Sequence, residues 1–249
     1  MNDLIAAPFI MDDPFEDLHT KAISAGHLTT YPNLVQGSAE WLAIRRGILT
    51  ASEMKLIMTP TLKAAANDKS RAHVFETLAQ RITGYAEPTF VSDDMLRGQI
   101  DEADARNLYS EHFAPVDEVG FFVSEALGFP IGYSPDGVVG SDGLIEIKSR
   151  RQKFQVETIL GGTMPIDYLL QVQTGLMVTG REWLDFISYS AGLPMCRVRI
   201  YPDAQIQDAI AEAATAFEAK VGELLTEYQA RLERDKTLIP TTRTETEFV

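Results

Sequence analysis

The sequence predicts an α/β fold: a central mixed β-sheet of about five strands flanked by helices, with a long C-terminal helix. Three observations predict it. Apolar residues recur at helical spacing over residues 70–82 and 93–113, short runs bounded by Gly, Pro and Asp fill residues 119–201, and one sustained apolar stripe occupies the C-terminal fifth.

Residues 1–38 mix acidic residues, Gly, Pro and isolated apolar positions without sustained periodicity, which predicts an irregular arm with room for one short helix. Trp41, Ile44, Ile48 and Leu49 open the ordered chain. Ser52 is placed to cap a helix reaching about residue 58, its hydroxyl accepting from the free amides of the first turn. Residues 59–69 carry no core-facing stripe and predict a surface loop. Val74, Leu78 and Ile82 define a helix over 70–82 that Gly84 ends. A longer helix follows over 93–113, with Leu96, Ile100, Ala103 and Leu108 on its buried side.

Strands are expected over 119–123, 132–139 and 143–148, the last two joined by a tight turn at 140–143. Pro165 suits the first turn of a helix over 165–178. Strands over 183–190 and 195–201 form a second hairpin around Gly192, Leu193 and Pro194. Ile206, Ile210, Ala213, Phe217, Val221, Leu224 and Tyr228 then mark one packed stripe of a helix running to about residue 236. The organisation expected is an arm over 1–38, a single domain over 39–236 and a polar tail over 237–249.

At 249 residues and 45% hydrophobic, the chain can bury one substantial core. No apolar run approaches the roughly 18–20 residues of a membrane-spanning helix, and residues 1–10 lack the basic-then-apolar pattern of a secretory signal. One cysteine, Cys196, excludes an internal disulfide framework, and His19, His27, His73 and His112 match no metal spacing. A reduced, cytosolic protein is expected. The net charge of −14 runs against phosphate binding. It averages over the whole surface, however, and positive charge is concentrated at Arg45 with Arg46 and at Lys148, Arg150, Arg151 and Lys153.

The chemistry is concentrated between Ser134 and Ser149. Side chains alternate along a strand, so Leu144, Glu146 and Lys148 share one face while Ile145 and Ile147 point the other way. The hairpin returns Asp136 beside that polar face. Two carboxylates and an ammonium converging there suit metal-assisted phosphodiester hydrolysis: Asp136 and Glu146 offer hard oxygen ligands to magnesium, and Lys148 can orient a water or stabilise charge on the phosphate. A surface hairpin with an idle Glu-x-Lys pair is the alternative, and Ser134, Pro135, Asp136 and Gly137 at the right distance weigh against it.

The stretches from Trp41 to Ser52, Arg97 to Arg106, Ser134 to Gly137, Leu144 to Lys148 and Leu170 to Gln173 stand in the order and approximate spacing of one family. Over roughly residues 38–201 the chain resembles the lambda-type phage exonucleases, recombination nucleases with a restriction-endonuclease-like core. The resemblance implies that Asp136 and Glu146 ligate magnesium (or manganese in its place), helped by the backbone carbonyl of Ile147, and that Lys148 serves the nucleophilic water. Glu102 is implied as a further acidic residue, against the alternative of a solvated helix face. Arg45 matches an arginine that grips the terminal 5′-phosphate, with Ser52, Ser134 and Gln171 lining the same pocket. The alternatives for these three are a helix cap, a turn residue and an ordinary helix position. Met95 stands about where an apolar residue pushes between strands at the duplex end, although a methionine there also reads as core. Asp93 and Asp94 depart from the basic DNA contact expected nearby.

The function implied is 5′→3′ digestion of one strand of linear duplex DNA, leaving a 3′ single-stranded tail for recombination. A ring-shaped homotrimer, a single-strand annealing protein as partner, DNA ends as substrate, no membrane, and the cytoplasm of a bacterial host complete the expectation. An endonuclease or junction resolvase on the same core, and a non-catalytic DNA-end-binding module, are the competing readings. The first lacks any use for a terminal-phosphate pocket; the second lacks any use for an intact Asp136, Glu146 and Lys148.

Overall fold

The nine strands among the described residues divide between two sheets. The computed structural model describes residues 22–87 and 93–243, without the side chains of Ser24 and of residues 93–95. The first sheet contains β1 (Ile23–Ala25), β2 (Leu28–Tyr31), β3 (Leu49–Thr50), β4 (Phe121–Ser124) and β5 (Ile131–Tyr133), in the order β1-β2-β4-β5-β3. The second contains β6 (Gly137–Val139), β7 (Gly143–Ser149), β8 (Trp183–Tyr189) and β9 (Cys196–Ile200), in chain order. Each sheet is mixed, parallel at β3–β5 and at β7–β8 respectively.

The helices are α1 (Ala39–Arg45), α2 (Met54–Ile57), α3 (Asp68–Thr83), α4 (Asp93–His112), α5 (Gln152–Gly161), α6 (Leu169–Thr179) and α7 (Ala204–Arg234). Because β7 and β8 run parallel, the chain must cross over between them, and α5 and α6 form that crossover. Both faces of the second sheet are buried. Leu144, Leu184 and Phe186 pack with Leu170 and Leu176 of α6 and with Ile210, Phe217 and Val221 of α7. On the other face, Ile145, Ile147 and Ile187 pack against Ala105 and Tyr109 of α4. Burying each large aliphatic side chain contributes about 1.5–3 kcal/mol, so this sheet is the firm platform of the molecule.

The α/β class and the long C-terminal helix are as expected, with five departures in detail. The run 132–139 is not one strand: it breaks at Ser134, Pro135 and Asp136, where the chain leaves the first sheet for the second. Proline brings no N–H to a ladder, so pairing lapses there. Residues 23–31, expected to be irregular, form the β1–β2 hairpin, turned at Gly26 with φ 61° and paired to β4. These strands are too short to print an alternation. Thr50, not Ser52, caps the turn at Ala51–Glu53, through a capping box in which the Glu53 carboxylate accepts the Thr50 amide at 2.9 Å.

The helix α4 shows a different face from the one expected. Asp101, Ala105 and Tyr109 are buried, whereas Leu96 and Ile100 are 50% and 68% exposed and Ala103 is also exposed. Polar contacts to the site, described below, orient this helix more strongly than its apolar residues do. The helix α5 was absent from the sequence expectation for a related reason. Its buried residues are Gln155 and Thr158, and Gln155 donates to the carbonyls of Ser188 (2.9 Å) and Pro194 (2.7 Å), so polar anchors dock it.

Asp185 in β8 is fully buried and accepts from the Tyr109 hydroxyl (2.6 Å), from Arg199 Nε and Nη2 (both 2.8 Å) and from Arg197 Nη1 (3.2 Å). Burial opposes its charge, but the Arg199 and Tyr109 hydrogen bonds prevail and hold the carboxyl below its ordinary range. Asp185→Ala is expected to lower unfolding stability at pH 7 by about 3 kcal/mol in urea titration, the lower end for a broken buried pair, because Arg197 and Arg199 can turn to water. A depressed carboxylate stabilises fully above its unfolded pKa of about 3.9 and ceases to do so as pH falls through the folded value. The gap between variant and parent should therefore narrow below about pH 4.

Candidate active site

A glutamate in the middle of a buried strand must find donors or lose its charge. Glu146 of β7, 1% exposed, finds three from three elements. Lys148 Nζ, two residues along the strand, donates to Oε1 at 2.5 Å; Gln171 Nε2 of α6 donates to the same oxygen; the Tyr133 hydroxyl at the end of β5 donates to Oε2 at 2.9 Å. Burial, and then the charge of Glu146, push the Tyr133 hydroxyl well above its ordinary pKa, so it remains a donor. Its ring is wedged against Gly175 of α6, where an added Cβ would stand 2.7 Å from the ring carbon bearing the hydroxyl.

Asp136 reaches the same place through the break between the sheets. Gly137 pairs with Ile145, so Asp136 falls opposite Glu146, and its Oδ2 accepts the Ile147 amide at 2.5 Å. Burial and the neighbouring Glu146 raise the Asp136 carboxyl well above the usual carboxylate range. Burial alone would depress the Lys148 ammonium, yet Glu146 and Asp136 beside it raise it above its ordinary value, and it stays protonated.

Glu102 of α4 is the third carboxylate. Burial raises it, Arg106 one helical turn on opposes this, and Glu146 raises it further. Arg106 is hydrogen-bonded to Glu102, donates from Nε to the Asp136 carbonyl at 2.8 Å, and pairs with Glu118 at 3.0 Å. Three buried or half-buried carboxylates, Asp136, Glu146 and Glu102, thus face two cations, Lys148 and Arg106.

A second cluster adjoins the first through Ser134. The Trp41 indole of α1 donates to Ser134 Oγ at 2.8 Å, and the Arg45 guanidinium stacks 3.9 Å above the same indole. Arg45 Nη2 reaches the Thr50 hydroxyl at 3.4 Å, which lies 3.3 Å from that of Ser52. Burial depresses the Arg45 pKa, with Glu53 opposing, but a guanidinium keeps its charge. The loop between α1 and β3 is clamped from α3: Gly47, at φ 67°, donates to Gln80 Oε1 (2.8 Å) and accepts from Arg81 Nε (2.8 Å).

The structure therefore brings Asp136, Glu146, Lys148, Glu102 and the Ile147 backbone together, and links Arg45, Ser52 and Ser134 in a neighbouring cluster. Gln171, expected to line that cluster, instead donates to Glu146. Arg46, next to Arg45 in the sequence, is bonded to the Gly84 carbonyl. The side chains of Met95, Asp93 and Asp94 lie outside the described residues. Tyr133, Arg106 and Trp41 are site residues that the sequence reading passed over. Two had a signal, since Arg106 stands four residues after Glu102 and Trp41 four before Arg45, positions that share a helix face. Tyr133 had none beyond preceding Ser134.

An acidic pair and a lysine on a buried hairpin, with a third carboxylate from a flanking helix, form a site suited to phosphodiester cleavage. Residues 40–182 match the family model of the YqaJ-like viral recombinase domain, and the chain belongs to this lambda-type phage exonuclease family. It is similar to the alkaline exonuclease of Laribacter hongkongensis, whose crystal structure shares 33% identity at a TM-score of 0.66, covering 78% of this chain and all of that one. The structure of that enzyme in complex with dAMP gives 35% identity with the same coverage and TM-score. A phage-related exonuclease from Haemophilus somnus 129PT, at 16% identity and a TM-score of 0.51, covers 73% of this chain and 96% of its own and shares the fold. No curated protein matches the chain at a significant level. The family and these matches mark the protein as a nuclease.

Gly175→Ala is expected to displace the Tyr133 ring and with it a donor to Glu146. Overpacking of this kind costs about 1–3 kcal/mol. The variant should therefore lose more nuclease activity than Tyr133→Phe, which removes the hydroxyl and leaves the packing; parallel rate assays with circular dichroism of both proteins check this.

Proposed function

We propose that the protein is a magnesium-dependent 5′→3′ exonuclease that digests one strand of linear duplex DNA from 5′-phosphorylated ends and leaves 3′ single-stranded overhangs for recombination. The observation that carries this reading is the path of contacts from Asp136 to Arg45 through Ser134 and Trp41. Ser134, two residues before the carboxylate, is bonded to the indole on which the Arg45 guanidinium stacks. A terminal phosphate gripped by that planar fork would hold the first phosphodiester at the acidic cluster. An endonuclease has no terminal phosphate to grip.

Among the described residues, no three His, Cys, Asp or Glu side chains are gathered tightly enough to hold a metal ion as they stand. The donor chemistry nonetheless fits a hard divalent cation. The oxygens of Asp136, Glu146 and Glu102 are the ligand type magnesium selects, and once all three are ionised they carry more negative charge than Lys148 and Arg106 offset. Asp136, Glu146 and the Ile147 carbonyl would hold the cation, with Glu102 supporting a second position and manganese an acceptable substitute. When bound, the cation polarises the scissile phosphate and lowers the pKa of a water to near neutrality.

The protein's own groups supply the rest. Lys148 is protonated, so it donates: it orients the attacking water and stabilises charge developing on the phosphate oxygens. Tyr133 and Gln171 fix the Glu146 carboxylate, and Arg106 ties Glu102 to the Asp136 backbone. Arg45, Ser52 and Ser134 hold the terminal phosphate, and Met95 wedges the duplex end. A ring-shaped homotrimer is part of the proposal, supported by the exposed Leu96 and Ile100 of α4 and Leu160 of α5, which a neighbouring subunit would cover. The partner proposed is a single-strand annealing protein that takes the exposed tail, in the cytoplasm of a bacterial host. Among the described residues no helix is long and apolar enough to cross a membrane.

Linear duplex DNA with a 5′-phosphate should be shortened in magnesium and left intact in EDTA. Lys148→Ala should lower the rate by about 10²–10³-fold, and Arg45→Ala should abolish the preference for phosphate over hydroxyl ends. Cutting of closed circular DNA would shift the reading to an endonuclease, and tight end-binding without cleavage to a binding module. Because Asp136 and Glu102 have raised pKa values, they must release protons to bind a cation. Calorimetric titration with magnesium or manganese should thus show affinity that rises with pH and falls towards acid, with proton release that depends on the buffer.

A further inference from the structure

The strand that carries the active site continues past Lys148 into a second, differently built cavity. Ser149 ends β7, Arg150 and Arg151 lead into α5, and Gln152 is its first residue. Together with Arg97 and Asp101 of α4 and with Ser190 and Ala191 after β8, Arg150, Arg151 and Gln152 line a cavity of about 550 Å³. Three guanidinium groups face one carboxylate, in a chain whose overall charge is strongly negative. The carboxylate is engaged: Asp101 accepts from Ser149 Oγ and pairs with Arg97 Nε at 3.8 Å, and the same Nε donates to that hydroxyl at 3.2 Å. The free amides at the start of α5 add the positive end of a helix.

Arg150 joins this cavity to the catalytic groups. Its Nη1 donates to the Tyr168 hydroxyl at 2.8 Å, and the Tyr168 ring centre lies 5.6 Å from Lys148 Nζ. Its Nε is buried and, among the described residues, has no hydrogen-bond partner. A buried guanidinium nitrogen left unpaired costs free energy that a ligand oxygen would recover once the side chain turns to meet it. Lys148 and Arg150 are two residues apart along extended chain, about 6.6 Å, a separation that matches neighbouring phosphates of one nucleic-acid strand.

We infer that this cavity is a second phosphate site, in which Arg97, Arg150 and Arg151 hold a phosphodiester of the bound DNA strand next to the scissile one. The inference rests on the nuclease reading and adds a site separate from the Arg45 cluster. That cluster reaches the carboxylates through Ser134, whereas this cavity reaches them through Lys148. The ligand is a backbone phosphate with no sequence information, so the site sets register and grip, not base preference. It also accounts for how an acidic protein can retain DNA: several of its positive charges are gathered along the path of the strand.

The test uses the full chain with Lys148→Ala, so that DNA is bound without being cut, and compares it with the same chain carrying Arg97→Gln and Arg151→Gln. Binding of a 5′-phosphorylated duplex is measured against salt concentration. Loss of one phosphate contact should lower the slope of log affinity on log salt by about 0.7–0.9 and weaken binding about tenfold. In a second arm the same two proteins are used, and single methylphosphonates replace the phosphates near the 5′ end one by one. One neutralised position beyond the scissile phosphate should weaken binding to the Lys148→Ala chain and leave the triple variant indifferent. An unchanged slope, or equal sensitivity of both proteins at every position, overturns the second site. Failure of the parent chain to bind or cut DNA ends at all overturns the nuclease reading beneath it, an outcome distinct from the first two.

Discussion

Much of this molecule is arranged around one unfavourable act, the burial of the Glu146 carboxylate inside a strand. At 1% exposure it is met by three donors, from Lys148, Gln171 and Tyr133. Each donor comes from a different place: the same strand, the crossover helix α6, and the far sheet. The two sheets and α6 are consequently held in register by a polar contact as well as by apolar packing. An isolated buried charge would be expelled or neutralised; here the neighbours supply hydrogen-bond donors, and carboxyl groups still outnumber cations. That surplus is a property of a binding site, since a protein core has no reason to keep it.

The same logic explains the helices that flank the platform. Asp101 on Ser149, Arg106 on the Asp136 carbonyl and Tyr109 on Asp185 all lie on one side of α4, and this polar set turns Leu96 and Ile100 outward. Gln155 does the equivalent for α5. Buried polar networks of this kind specify a unique arrangement more sharply than apolar contact does, because a rotated helix would strand every donor at once.

The parts legible in the sequence were those written in apolar period or in turn chemistry. The alternation in residues 144–148 placed Glu146 and Lys148 on one face, Gly84 ended α3, and the stripe from Ile206 to Leu224 predicted α7. What stayed hidden was set by contacts between distant residues. No local pattern shows that Gln171 turns to Glu146, that Tyr133 reaches across from the other sheet, or that α4 buries Asp101 in preference to Ile100. The break at Ser134, Pro135 and Asp136 was visible as a motif but misread as continuous strand. The residues recognised as chemistry were also the residues ending one sheet and starting another.

Trp41 and Trp183 are the two tryptophans of the chain, and each lies under an arginine: Arg45 at 3.9 Å and Arg199 at 3.7 Å from the ring centre. The arginine over Trp41 belongs to the cluster beside the carboxylates, and the one over Trp183 is tied to Asp185. An indole under a cation changes its emission when that cation moves or its charge is matched. The molecule therefore contains an optical probe at the Arg45 cluster and, on the same chain, an internal reference whose arginine is already committed. Occupancy of one cluster can be followed by light without attaching any label.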